Sequence, residues 1–72
     1  MMMAMQGEEL KAARKRLGWT QGRMAAELDL SPTFIGLMER GEKAIERRTE
    51  LAVKALEYIA ESRLGAAKPP PV

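Results

Sequence analysis

Glycine and Ser-Pro punctuation cuts the first forty residues into helical runs too short to stand alone, and this constrains the fold more than any other feature. Gly18 follows one run, Gly41 follows another, and Ser31-Pro32 opens the segment between them. A glycine past a helix end adopts the left-handed backbone that stops it. Serine caps unpaired amides, and proline suits the first helical position, where its missing N–H would have had no partner. Between Glu8 and Leu17, the residues Leu10, Ala13 and Leu17 recur on one stripe, with Glu8, Lys11 and Lys15 opposite. Thr20 is an N-cap for a second helix with Met24, Ala25 and Leu28 inward and Gln21 exposed at its first turn. A third helix is expected from Pro32 to about Arg40, with Phe34, Ile35 and Met38 inward and Pro32, Thr33, Gly36 and Leu37 outward. Stripes this short are buried only against one another, so the fold is all-α.

Beyond the connector Glu42–Ala44 nothing breaks a helix from Ile45 to about Arg63, a stretch rich in alanine, leucine, glutamate, lysine and arginine. Ile45, Ala52, Leu56 and Ile59 form one stripe; Val53, Ala60 and Leu64 widen it on one side and Leu51, Ala55 and Tyr58 on the other. That arc is wider than the roughly 100° a single core needs. Two covers are open: the first three helices wrapping around it, or a second copy meeting it in a two-fold dimer through Leu51, Ala55, Tyr58, Ile59 and Leu64. Glu46, Arg47, Glu50, Lys54, Glu57 and Glu61 are expected on the solvent side.

With 72 residues the chain makes one domain, because a domain this short buries only about 60% of its unfolded surface. Residues 7–64 are expected to form it, between an N-terminal tail over 1–6 and a proline-rich tail over 65–72, both disordered. There is no cysteine or histidine, which removes disulfides, thiolate chemistry and imidazole catalysis. Glu8 and Glu9 are adjacent carboxylates at a helix start, where they favour the macrodipole. The reading is therefore no enzyme, catalytic residue, metal, cofactor or small-molecule ligand. With no signal-like or membrane-spanning stretch, a cytoplasmic protein is expected. Net charge is only +2, so placement carries the argument: Lys11, Arg14, Lys15 and Arg16 crowd the first helix, and Arg40, Lys43, Arg47 and Arg48 the middle of the chain.

Two short helices joined by a tight turn, the second exposing its N-terminal half, have the geometry that enters a DNA major groove. The residues Leu10 to Leu56, about two-thirds of the chain, resemble the Cro and phage-repressor type of helix-turn-helix domain, the XRE family. The likeness rests on the Leu-Lys-Ala-Ala-Arg opening, Gly18-Trp19-Thr20-Gln21, Met24-Ala25-Ala26-Glu27-Leu28, Leu30-Ser31, and Phe34-Ile35-Gly36-Leu37-Met38-Glu39-Arg40-Gly41 in that order. It implies a compact lambda-repressor-like domain of four to five helices with a long C-terminal one. It also implies that Gln21 lies near phosphate, that exposed third-helix positions face base edges, that Arg40 and the loop after it grip the backbone, and that Arg14 pairs with Glu39. If both members of that pair are sequestered, removing one costs about 3 to 5 kcal/mol.

Departures from the family pattern bear on specificity. Asp29 stands where the family commonly has glycine, and aspartate tolerates the left-handed turn. Pro32, Gly36 and Leu37 replace side chains that make bidentate base contacts. Direct readout falls to Thr33, which donates a hydrogen bond, and Leu37, which meets a thymine methyl. The expected DNA-facing set is Gln21, Arg23, Ser31, Pro32, Thr33, Phe34, Gly36, Leu37, Arg40, Lys43 and Arg47, with DNA shape supplying part of the selectivity. The functional expectation is a dimeric repressor of double-stranded DNA acting on a pseudo-palindromic operator in a phage, mobile-element or similar small operon, its own promoter included. The alternative is a protein-interaction module, antitoxin-like, that uses the apolar face Pro32, Thr33, Phe34 and Leu37.

Overall fold

The computed structural model describes residues 4–64, with the backbone alone at Leu64. It contains α1 (Gly7–Arg16), α2 (Gln21–Leu28), α3 (Pro32–Glu39) and α4 (Arg47–Leu64). The local signals act as their chemistry dictates. Thr20 Oγ1 accepts from Arg23 N at 3.0 Å, and Ser31 Oγ accepts from Phe34 N at 3.1 Å, with Pro32 in the first turn of α3. Gly18 and Gly41 end α1 and α3 at φ +73° and +81°. Asp29 adopts φ 60° and ψ 43°, the left-handed cap of α2, and Leu30 N closes the turn on Ala25 O at 2.8 Å. Among the described residues no helix is long and apolar enough to cross a membrane.

Leu10, Met24, Ile35, Met38 and Val53 are the large side chains fully out of water, one or two from each helix. Ala13, Ala25, Ile45 and Met5 complete the buried cluster, and Leu17, Trp19, Leu28, Leu30 and Phe34 pack around it. α2 and α3 lie against each other, α1 against α3, and α4 runs beneath α1 and α2. Ile45 sits before α4 rather than on it, yet is buried, so the connector is anchored by a side chain and not by helix.

Three expectations are corrected here. The N-terminal tail does not extend to residue 6: Met5 is buried in the core, and Gln6 is the N-cap of α1, its amide donating to Glu9 Oε1 at 2.7 Å. Residues 1–3 and 65–72 of the two expected tails lie outside the described residues. Glu50 does not face solvent. It is 6% exposed, accepting from Arg47 Nη1 at 3.3 Å and lying 3.2 Å from Lys54 Nζ. Glu57 is likewise half-buried and takes Arg16 of α1 at 2.6 Å. The cause is the rotation of α4 about its axis: Val53, Leu56 and Ala60 turn inward with these two carboxylates along one edge of the stripe, and Leu51, Ala55, Tyr58 and Ile59 turn out.

Gly7 permits an approach that the sequence does not advertise. A Cβ on it would occupy the space of the Met38 and Glu39 carbonyl oxygens, so the first turn of α1 lies directly on the last turn of α3. Backbone cannot step aside as a flexible side chain does. Gly7→Ala is expected to lower stability by about 1 to 3 kcal/mol in urea unfolding followed by circular dichroism. A loss below about 0.5 kcal/mol, the ordinary surface range, would show that α1 shifts freely on α3.

Candidate nucleic-acid interface

The surface around α3 is organised by a network that comes from three elements. Arg14 on α1 donates from Nε to Glu39 Oε2 at 2.6 Å, from Nη2 to Glu39 Oε1 at 3.2 Å, and from Nη1 to the Trp19 carbonyl at 2.9 Å. Gln21, the first residue of α2, donates from Nε2 to Glu39 Oε1 at 3.2 Å. The pair is nearly out of water, with side chains 12% and 4% exposed. Burial pushes the Glu39 carboxyl up, but the hydrogen bonds from Arg14 and Gln21 and the positive charges of Arg14 and Lys11 outweigh it and hold the group below its usual range. Its partner's guanidinium is pushed up, first by the Glu39 hydrogen bond. The network fixes α3 against α1 and the start of α2, so the angle between α2 and α3 has an electrostatic lock as well as a packed core.

The DNA-facing set divides into four groups. Ser31, Pro32 and Thr33 are exposed at the N-terminal end of α3, and Leu37 is half-buried one turn further on. Arg23 is exposed in the first turn of α2, Arg40 at the C-cap of α3, Lys43 in the connector and Arg47 at the start of α4. Phe34 packs on the core and forms a wall of an open groove of about 830 Å³ that also involves Leu30 and Ala52. Gln21 and Gly36 depart from the expected exposure. Gln21 is half-buried because its amide is committed to Glu39. Gly36 is buried, and the point its Cβ would occupy lies 3.2 Å from Arg40 Nη1 and 3.6 Å from Gln21 Nε2. Its missing side chain therefore makes room for Arg40 and Gln21 rather than presenting bare backbone outward.

Sequence reasoning missed what holds these cations. Arg23 stacks over Trp19 with its guanidinium carbon 4.8 Å from the ring centroid, and its Nε donates to Glu27 at 2.9 Å. Arg40 Nε donates to Glu42 Oε2 at 2.7 Å. The Arg23–Glu27 spacing of four on a helix was a legible signal. Nothing local announces the Trp19 stack or the Arg40–Glu42 pair. The residues expected at a dimer face are exposed on α4: Leu51 and Tyr58 are each 50% exposed and Ile59 is 47%, with Ala55 also exposed; the Leu64 side chain lies outside the described residues.

A pair of short helices locked at a fixed angle, the second with an exposed N-terminal end, and with arginine and lysine exposed at the start of the first and past the end of the second, defines a DNA-binding helix-turn-helix protein. A helix-turn-helix family model matches residues 10–55, and the chain belongs to this family, the XRE type of DNA-binding regulator. No match was found among curated proteins or solved structures.

The lowered Glu39 carboxyl makes stability depend on pH. Its contribution is complete above the ordinary carboxylate range and is lost as pH falls through its own depressed value. The urea midpoint should fall between about pH 5 and pH 3. Glu39→Gln should flatten that decline and, at neutral pH, cost about 2 to 4 kcal/mol, because Arg14 keeps its charge in a nearly dry site without a counterion. An unchanged pH slope in Glu39→Gln would refute the assignment. Gly36→Ala should displace Arg40 and weaken DNA binding while leaving the helical circular dichroism spectrum intact, the side chain having flexible atoms to push aside.

Proposed function

We propose that the protein is a dimeric transcriptional repressor that binds an operator of its own promoter through α3. The observation that carries this reading is the exposed N-terminal end of α3, Ser31, Pro32 and Thr33, together with exposed cations at both ends of the helix pair, Arg23 in the first turn of α2 and Arg40 and Lys43 at and beyond the C-terminal end of α3. In the proposed complex that end enters the major groove. Thr33 donates to a base edge or phosphate, Leu37 meets a thymine methyl, and Pro32 lets the backbone come close without a hydrogen bond of its own, while the buried Gly36 leaves room for Arg40 and Gln21. Arg40 and Lys43 contact phosphate at one end of α3. Gln21 and Arg23 do so at the start of α2, and Arg47 extends the track to α4.

The dimer is proposed through α4. Leu51, Ala55, Tyr58 and Ile59 offer an apolar strip that helices α1 to α3 leave uncovered. A two-fold axis through it sets two copies of α3 about one helical turn of DNA apart, on the order of 34 Å, so the operator is a pseudo-palindrome. Occupying a promoter in this way excludes RNA polymerase without any further activity of the protein.

Titration of the upstream region of the gene and of a random duplex, each at two salt concentrations, tests this. Salt-sensitive preference for the upstream duplex is expected. Arg40→Ala should weaken both duplexes, and Leu37→Ala should cost about 1 to 3 kcal/mol on the operator alone. Failure of either duplex to bind at low salt would leave the apolar α3 face as a site for a protein instead. Sedimentation of wild type and Tyr58→Glu checks the assembly: the substitution should yield monomer, and a monomeric wild type at micromolar concentration would remove the dimer.

A further inference from the structure

The arginines assigned to phosphate each already have a guanidinium nitrogen engaged by a carboxylate. Arg40 Nε lies 2.7 Å from Glu42 Oε2, and Arg23 Nε 2.9 Å from Glu27 Oε2. Arg47 is paired with Glu50, but Glu50 is buried and also takes Lys54, so it serves the packing of α4. Glu42 and Glu27 are different in kind. Their side chains are 58% and 34% exposed, and their arginine partners 61% and 56%.

Folding does not account for either carboxylate. Ion pairs this wet contribute little to stability, since water screens the attraction and two long side chains lose freedom to make it. Position tells against them as well. Glu27 lies in the last turn of α2, and Glu42 follows the stop of α3. A helix C-terminus carries the negative end of the macrodipole, which disfavours a carboxylate. On α2 the order is arginine first and glutamate four residues later, the weaker of the two orientations for such a pair. Both carboxylates instead sit within hydrogen-bond distance of guanidinium groups assigned to phosphate, that of Arg23 on α2 and that of Arg40 at the end of α3.

We infer that Glu42 and Glu27 are intramolecular competitors for phosphate that set the strength and salt dependence of sequence-independent DNA binding, an inference that rests on the DNA-binding reading above. Each phosphate contact by Arg40 or Arg23 is an exchange: the guanidinium releases a carboxylate and takes a phosphate oxygen. Added salt weakens both sides of that exchange. The slope of log K against log salt is therefore shallower than the number of arginine contacts alone would give.

The test uses the full chain and a random duplex at two salt concentrations, with Glu42→Gln, Glu27→Gln and, as a control for net charge, Glu61→Gln, about 21 Å along the axis of α4 from Arg47. Glu42→Gln and Glu27→Gln should each tighten binding about threefold to tenfold at low salt and steepen the salt slope, against less than about twofold for Glu61→Gln. In an Arg40→Ala background the gain from Glu42→Gln should fall to the Glu61→Gln level. Persistence of the full gain without Arg40 would overturn the exchange, as would equal gains from all three substitutions. If wild type binds the duplex and Glu42→Gln and Glu27→Gln change nothing, the competition is wrong and the DNA reading stands. If wild type and every glutamine variant fail to bind, the DNA reading itself falls, and the competition with it.

Discussion

The arrangement of this small domain depends on one carboxylate. Glu39 stands in the last turn of α3 and receives two nitrogens of Arg14 from α1 and the amide of Gln21 from α2, while the third Arg14 nitrogen holds the Trp19 carbonyl between those helices. A chain with so little core has few apolar contacts with which to fix an angle between helices of eight residues. Side-chain packing tolerates small rotations, whereas a two-pronged arginine–carboxylate contact has a defined plane. The same bonds orient the start of α2, so the residue at the mouth of the interface and the angle of α3 are set together.

This lock is asymmetric in what it constrains. It acts at the C-terminal end of α3, where Gly7 brings the first turn of α1 against the Met38 and Glu39 carbonyls. The N-terminal end carries only its Ser31 cap and Pro32. The end held firmly is the buried one, and the end left open is the one whose side chains are free to meet another molecule. Functional surface on a rigid support is the arrangement that keeps recognition geometry within tolerance.

Much of this was legible because it is local. Thr20, Ser31-Pro32, Gly18, Gly41 and even Asp29 act on backbone groups within a few residues of themselves, so a linear reading places the turns and the helices. Contacts between elements are another matter. Met5 looked like part of a tail because its burial is created by the helices it touches, and Gly7 carries no local sign that another backbone lies against it. The rotation of α4 was misjudged for a similar reason. Glu50 and Glu57 read as solvent charges on a wheel, yet each borders the buried stripe and finds a cation there, from α4 itself and from α1 respectively. Gly36 was placed on the right helix with the wrong exposure, since the residues that cover it, Gln21 and Arg40, come from another element and from the next turn.

The recognition surface has an unusual division of labour between charge and shape. Its cations are conspicuous, but the carboxylates beside them cancel much of the field that a distant duplex would feel, consistent with a net charge of only +2. The exposed end of α3 offers a proline, a threonine and, further along, a half-buried leucine, with little hydrogen-bonding capacity among them. Selectivity on such a surface cannot come from many base-edge bonds. In the proposed complex it comes from how closely the backbone of α3 approaches the groove floor, from a methyl contact at Leu37, and from whether a sequence bends to bring its phosphates to cations held in fixed positions. A rigid, partly neutralised rim suits that mode of reading. Strong unpaired cations would bind a poorly fitting duplex nearly as well as a fitting one. Under the proposed exchange, paired cations release their carboxylates only where the backbone comes close enough to replace them, so the energetic gain is concentrated on DNA whose shape permits the approach.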